Sequence, residues 1–129
     1  MRRSEAEAFY REYNAVCNAH AFDRLSGFVA EDVQVNDGPQ GLTAYVAGLR
    51  EVVRAFPDYR WEIRGLLIDG DRIAAHFTDT GTHRGEFLGV APTGRRISTR
   101  EFAVYELEAG RIARVWVAAD NLAVLDQLR

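Results

Sequence analysis

The chain has 129 residues, 47% hydrophobic and 27% charged, so it is long enough for one globular domain and too short for two. Its net charge of -3 argues against a nucleic-acid partner, because phosphate binding usually requires a basic surface. All 16 basic residues are arginine and Cys17 is the only cysteine, which excludes lysine Schiff-base chemistry, an intrachain disulfide and a thiolate metal site.

The first half of the chain has the periodicity of helices. Apolar residues recur every three to four positions over residues 9–20 and again over residues 42–56, where Pro57 ends the helix. Between them, residues 22–29 predict a short helix and residues 32–36 a short strand. The opening residues carry no apolar run, so we expect no secretory signal, no membrane span and a cytoplasmic location.

From residue 59 onward the period changes to two, which predicts four strands. They are expected over residues 59–68, 72–83, 97–107 and 111–120, with a long connection rich in glycine between the second and third. Helices followed by an antiparallel meander predict an α+β fold, with the helices covering one face of a curved sheet. A ligand pocket is expected between the two layers.

Asp120 is the first candidate for chemistry, because it closes a strand whose preceding residues are almost all apolar. Strand alternation places Trp116, Ala118 and Asp120 on one face. If that face lines the pocket, desolvation should raise the pKa of the carboxyl and suit it to general base catalysis. Alternatively, Asp120 caps the short helix that the apolar tail predicts.

His83 and Asp79 share a face of the second predicted strand. The His83 imidazole is either a group that hydrogen-bonds substrate and shuttles a proton, or a structural histidine bonded to the loop backbone. Asp79 is a second pocket carboxylate, a partner that orients His83, or a surface charge if the strand is flipped.

Glu101 depends on the register of the last hairpin. A two-residue turn at Ala109-Gly110 would pair Ala118 with Glu101 and Asp120 with Thr99, unless a bulge changes the register. Glu101 and Asp120 would then be neighbours, and each would raise the pKa of the other. The interpretation we favour from the sequence is that Glu101 is a solvated partner of an arginine.

Aromatic and polar side chains are expected to form the wall of the pocket. Any one of them is more often a core residue than a ligand contact. The histidines have no metal-binding spacing, so no metal is expected. The predicted substrate-binding set is Tyr13, Asn36, Tyr45, Trp61, Asp79, Phe87, Glu101 and Trp116.

Two segments resemble one known family. Residues 81–96, which read GTHRGEFLGVAPTGRR, resemble the long hairpin connection of the SnoaL-like polyketide cyclases and ester cyclases. Residues 116–120 resemble the strand end that carries the acid/base aspartate of that family. The resemblance implies one NTF2-like cone over residues 1–129, commonly a homodimer or homotetramer packed through its sheet.

The same resemblance implies an activity. Members of the family close a ring in an aromatic or polyketide-derived substrate by an intramolecular aldol reaction, in antibiotic and other secondary metabolism, without metal or cofactor. Carried over residue by residue, Asp120 is the catalytic acid/base and His83 is a catalytic candidate by motif position. Epoxide hydrolases, cofactor-free hydroxylases, isomerases and binding modules share the fold and stay open as alternatives.

Overall fold

The computed structural model describes residues 1–129 and has helices packed on one face of a six-stranded mixed sheet. The α+β class predicted from the sequence is confirmed. No helix combines the length and apolar character that a membrane crossing would require. In chain order the elements are α1 Arg3–Asn18, a 3-10 helix Phe22–Gly27, β1 Val29–Val35, β2 Gly38–Pro39, α2 Leu42–Ala55, β3 Arg60–Asp69, β4 Arg72–Thr82, β5 Arg96–Glu108, β6 Arg111–Ala119 and α3 Asn121–Gln127.

The sheet has the order β2-β1-β6-β5-β4-β3. The strands β3 to β6 form the predicted antiparallel meander, and β1 adds to its edge in parallel with β6. The hairpin turn predicted at Ala109-Gly110 forms, with positive φ at both residues. The turn between β3 and β4 has Gly70 and Asp71 at its centre, with positive φ at Gly70.

The inner face of the sheet, which the helices cover, is the apolar half of each strand. On β4 the alternation is regular, so that Ile73, Ala75, Phe77 and Asp79 are buried and the residues between them are more exposed. Helix α1 covers this face with one stripe, and burial of each large apolar side chain contributes about 1.5–3 kcal/mol. The buried residues of α1 are Ala6, Tyr10, Tyr13, Val16 and Cys17.

A bulge in β6 overturns the predicted register of the last hairpin. The pairs on either side of it are Glu106 with Arg114 and Leu107 with Ile112. Ala113 is therefore an extra residue on β6, and every later pair is shifted by one position. Glu101 pairs with Ala119 rather than with Ala118, so the side chains of the upper half of β6 face the opposite way from the prediction.

The long connection between β4 and β5 packs on the end of α2. The backbone N–H groups of Arg84 and Gly85 donate to the carbonyl oxygen of Ala55, at 2.9 and 3.0 Å. A Cβ atom at Gly85 would lie 2.5 Å from the carbonyl oxygen of Arg54, so only glycine allows this approach. The connection thereby satisfies a carbonyl at the helix C-terminus and fixes the position of α2 over the sheet.

Candidate active site

A cavity of about 190 Å³ lies between the helices and the inner face of the sheet. Its wall is mainly aromatic and aliphatic, and Glu101 is the only charged residue in it. Such a wall disfavours the ionised form of a carboxyl group. The lining residues are Tyr10, Tyr13, Asn14, Cys17, Val35, Gln40, Tyr45, Gly48, Leu49, Trp61, Phe77, Glu101, Tyr105, Val115 and Val117.

Behind Glu101 lies a second carboxyl, that of Asp79. Phe77 pairs with Glu101 and Asp79 pairs with Thr99, so the two acids are diagonal neighbours on β4 and β5. Asp79 is fully buried, and its Oδ2 accepts a hydrogen bond of 2.9 Å from the Tyr59 hydroxyl. Its Oδ1 is buried and has no hydrogen-bond partner.

Burial and mutual repulsion keep a proton on this acid pair. Burial raises the pKa of Glu101 to about 9, with the facing Asp79 carboxyl as the next cause, while the nearby Trp61 indole lowers it. Burial also raises the pKa of Asp79, against the lowering effect of the Glu101 carboxyl and of the hydrogen bond from Tyr59. At neutral pH the raised pKa keeps Glu101 mainly protonated.

Two hydrogen-bonded tyrosine pairs supply the other polar atoms of the wall. The Tyr10 hydroxyl donates to that of Tyr105 at 3.0 Å, and the hydroxyls of Tyr13 and Tyr45 lie 2.5 Å apart. Burial raises the pKa of all four phenols, so they are protonated donors at neutral pH. Burial also raises the pKa of Cys17 to about 12, which leaves it without thiolate character.

The structure brings five of the predicted site residues together. Tyr13, Tyr45, Trp61 and Glu101 line the cavity, and Asp79 lies behind Glu101. The solvated arginine partnership favoured for Glu101 is wrong, since its side chain faces the cavity. The arginine-paired glutamates of β5 are Glu106 and Glu108, on the outer face.

The prediction that Trp116 lines the pocket is wrong, because Trp116 lies on the outer face of the sheet. Its neighbours Val115 and Val117 line the cavity instead, as the shifted register of β6 requires. The Trp116 indole N–H donates to Asp37 Oδ1 at 2.8 Å, and the Arg72 guanidinium lies 5.8 Å from its ring centroid. Its ring is therefore not part of the cavity wall.

Asp120 lies outside the cavity wall and follows the last residue of β6. Its side chain is exposed, and Oδ1 accepts a hydrogen bond of 3.1 Å from the backbone N–H of Ala123. This is the N-cap geometry of α3, the alternative that the sequence left open. Strand alternation predicted that Asp120 faces the pocket. This prediction is wrong, since the bulge turns Ala119 rather than Asp120 toward the inner face.

His83 also lies away from the cavity, at the start of the long connection. Its Nδ1 accepts a hydrogen bond of 3.1 Å from the backbone N–H of Thr93, so the neutral ring carries its proton on Nε2. The ring is fully buried against Phe56, with the centroids 5.5 Å apart, and Nε2 has no partner. These contacts fit the structural alternative, in which His83 holds the two ends of the connection together.

Asn36 and Phe87 were also predicted to line the pocket, and the structure places both outside its wall. Asn36 has a φ of 52° in the turn after β1, and its Oδ1 accepts a hydrogen bond of 2.9 Å from the backbone N–H of Val117. Phe87 packs edge-on against Phe56 with the centroids 5.2 Å apart. Both side chains support the backbone around the site and neither lines the cavity.

The sequence-based set missed Tyr105 and Tyr59, which complete the site. Tyr105 lines the cavity, and Tyr59 holds Asp79. The alternation of β5 carried the missing signal, because Ala103, Tyr105 and Leu107 are apolar or aromatic at every second position. Glu101 lies two residues before Ala103, so the same alternation places it on this face.

Comparisons with known proteins agree on one family. The family model of SnoaL-like polyketide cyclases matches residues 7–128. A SnoaL-like polyketide cyclase from Agrobacterium tumefaciens is 34% identical, with a TM-score of 0.84 over 94% of this chain and 95% of that one. AclR from Streptomyces galilaeus, a proposed hydroxylase, is 27% identical, with a TM-score of 0.86 over 97% and 96% of the two chains. TsrD from Streptomyces laurentii, at 22% identity, shares the fold with a TM-score of 0.90 over 99% and 97%. No curated protein matches the chain.

Proposed function

Since the chain belongs to the SnoaL-like polyketide cyclase family, we propose that it closes a ring in a polyketide-derived substrate by an aldol reaction in which Glu101 transfers the proton. One observation carries this proposal. The only charged residue in the wall of the cavity is a carboxyl whose pKa is raised to about 9 beside a second buried carboxyl. Groups perturbed in this way inside a cavity are typical of acid/base sites.

Under this proposal the pair does the chemistry with one shared proton. When that proton lies on Asp79, Glu101 is a carboxylate and can remove a proton from a carbon between two carbonyl groups. The resulting enolate attacks a second carbonyl carbon of the same molecule, forming a carbon–carbon bond and an alkoxide. The alkoxide then takes the proton from Glu101, so the pair returns to its starting state without a cofactor.

The tyrosine hydroxyls suit the charge that develops on oxygen. The Tyr105 hydroxyl accepts from Tyr10 and keeps its own hydrogen free. The Tyr13–Tyr45 pair shares a single hydrogen bond, so one of its hydroxyls also keeps its hydrogen free. Burial raises the pKa of these phenols, so they stay protonated at neutral pH. A fixed donor placed at a developing oxyanion in a cavity with little water contributes about 100-fold to 1,000-fold in rate. Under this proposal they hold the enolate and alkoxide oxygens while Glu101 moves the proton.

The experiment compares Glu101 with two carboxylates that lie outside the cavity. Turnover of an aryl 1,3-diketone with a tethered ketone is followed by chromatography in wild type, Glu101→Gln, Glu106→Gln and Asp120→Asn. Glu106 is the matched control, since it lies on the same strand but on the outer face, paired with arginines. We expect Glu101→Gln to lose about 100-fold or more and the other two to keep wild-type rates. Full turnover by Glu101→Gln, or its loss in Asp120→Asn, would contradict the proposal.

Hydrolytic opening of an epoxide is a second candidate, favoured by the same pair of carboxyls. Protonated Glu101 would supply the acid for the epoxide oxygen, and Asp79 would accept a proton from water. Asp79 is fully buried behind Glu101 and Tyr59, which gives water little access and makes ring closure the better-supported reaction. Incubation of styrene oxide in ¹⁸O-labelled water would yield a labelled diol if this candidate is the activity.

A further inference from the structure

The size of the cavity limits what it can enclose. Its volume is about 190 Å³, whereas a cavity of about 150 Å³ takes benzene and typical ligand pockets begin near about 300 Å³. One substituted ring, or an open chain of similar bulk, therefore fits.

The wall resists enlargement because its large side chains are tied to one another. Tyr10 contacts the rings of Tyr105 and Phe77 at centroid distances of 4.9 and 6.5 Å, and its hydroxyl bonds that of Tyr105. Turning either ring aside would break a buried hydrogen bond and leave polar atoms without partners. A fused three-ring ligand would require such a change.

The wall also lacks any group that could neutralise an anion. None of its residues is Arg, Lys or His, although the chain has 16 arginines. The only charged residue of the wall is Glu101, a carboxyl, which offers an anion no positive partner. A carboxylate or phosphate placed inside would be desolvated and unpaired.

Two residues of the cavity wall, Gly48 of α2 and Gln40, are exposed to solvent. Gly48 occupies the inward stripe of the helix with Tyr45, Leu49 and Val52, where the pattern would otherwise place an apolar side chain. It is exposed while lining the cavity, and a Cβ atom built on it meets nothing within 4 Å. A glycine inside a helix is unfavourable by about 1 kcal/mol relative to alanine. The space left by the missing side chain therefore comes at a cost in helix stability.

We infer that the enclosed part of the substrate is about one ring in size, carries no anionic group and enters beside Gly48. This inference rests on the proposed function for the identity of the site and adds the class of molecule that the site accepts. The reacting molecule presents ketone, aldehyde or ester groups to Glu101. A free carboxylate or phosphate of the substrate stays outside the entrance.

Binding of matched ketones to the wild-type protein, measured by calorimetry at pH 7.5, tests size and charge separately. Acetophenone, 2-acetylnaphthalene and 2-acetylanthracene differ only in ring number, and we expect the three-ring ketone to bind at least about tenfold more weakly than the first. The 4-acetylbenzamide and 4-acetylbenzoate have equal size, and we expect the carboxylate to bind at least about 100-fold more weakly. Affinity that rises with each ring, equal affinity for the charged member, or no binding of acetophenone would overturn the inference.

Two substitutions at Gly48 test the entrance. Gly48→Phe should weaken binding of acetophenone at least about tenfold, because the ring fills the gap, and the smaller Gly48→Ala should weaken it by about twofold or less. Both should melt no lower than wild type, because each improves helix propensity at an open position. Unchanged binding by Gly48→Phe would show that the substrate does not enter beside Gly48. Since binding is measured without turnover, failure here leaves the proton-transfer role of Glu101 standing, and failure of that role leaves the size and charge selection standing.

Discussion

The two faces of the sheet both carry apolar surface, yet only on the inner face does burial raise the pKa of carboxyl groups. The outer face has a shallow groove of about 500 Å³ lined by aliphatic and aromatic residues with His76. Leu67 and Phe102 in this groove are 75% and 55% exposed. On the inner face the same strands present Phe77, Asp79 and Glu101 to the cavity and core.

The contrast between Glu101 and Glu106 on one strand shows what the two faces do to the same carboxyl. On the outer face, hydrogen bonding and charge from Arg114 and Arg72 lower the pKa of Glu106. On the inner face, burial beside Asp79 raises the pKa of Glu101 to about 9. The face of the strand on which a glutamate lies therefore decides whether its pKa is lowered by a surface ion pair or raised by burial.

Truncation of a large side chain on each face should give the largest difference. Phe77→Ala removes a buried ring and should lower the free energy of unfolding by about 3–5 kcal/mol. Leu67→Ala on the outer face should change it by about 0.5 kcal/mol or less. Urea unfolding followed by circular dichroism measures both, and equal losses would mean that the outer face is as buried as the inner one.

A charge on the outer face tests the predicted homodimer or homotetramer. Phe102→Glu places a carboxylate in the apolar groove and should weaken a sheet-packed dimer by about 100-fold or more, while leaving turnover per chain unchanged. Light scattering coupled to size exclusion gives the mass of each form. A wild-type monomer, or an oligomer that survives the substitution, would assign the groove another role.

The stability of the protein should fall as pH rises. Between the ordinary pKa of glutamate, about 4.3, and the raised value of about 9, the folded chain holds a proton on Glu101 that the unfolded chain releases. The free energy of unfolding should then decrease by up to about 1.4 kcal/mol per pH unit in this window. Urea midpoints from pH 5 to 9 measure the slope. Glu101→Gln should flatten it, and an equal slope in that variant would place the titrating group elsewhere.

Removal of the Asp120 side chain should have a small effect. Asp120→Ala deletes the cap of α3 and should cost about 1 kcal/mol, whereas Asp120→Asn keeps an acceptor and should be close to neutral. Thermal melting compares the two variants. An equal loss in the two variants would show that its charge, rather than its cap, matters.

Local patterns in the sequence predict most of the fold. The helix of residues 42–56 and the strands after residue 59 have strong periods and clear turns, and the structure has them within one or two residues. The parallel pairing of β1 with β6 joins segments about 80 residues apart, and no local pattern indicates it.

The site was harder to predict, because one extra residue in β6 decides which side chains meet. Ala113 has nothing in its own sequence context that marks a bulge, yet it turns Trp116 outward and Val117 inward. Asp120 and His83 were favoured by resemblance to family positions, and both make backbone contacts instead. Glu101 was visible only from the alternation of β5 itself.

The glycine-rich connection after β4 has a consequence for how relatives compare. Its glycines allow backbone to touch backbone at the end of α2, where Gly85 approaches the carbonyl of Arg54 and Gly81 packs under Phe56. A motif of this kind encodes where a helix is anchored and nothing about the molecule bound beneath it. Chains with this fold can therefore differ in reaction, as the names of two structural neighbours, a polyketide cyclase and a proposed hydroxylase, illustrate.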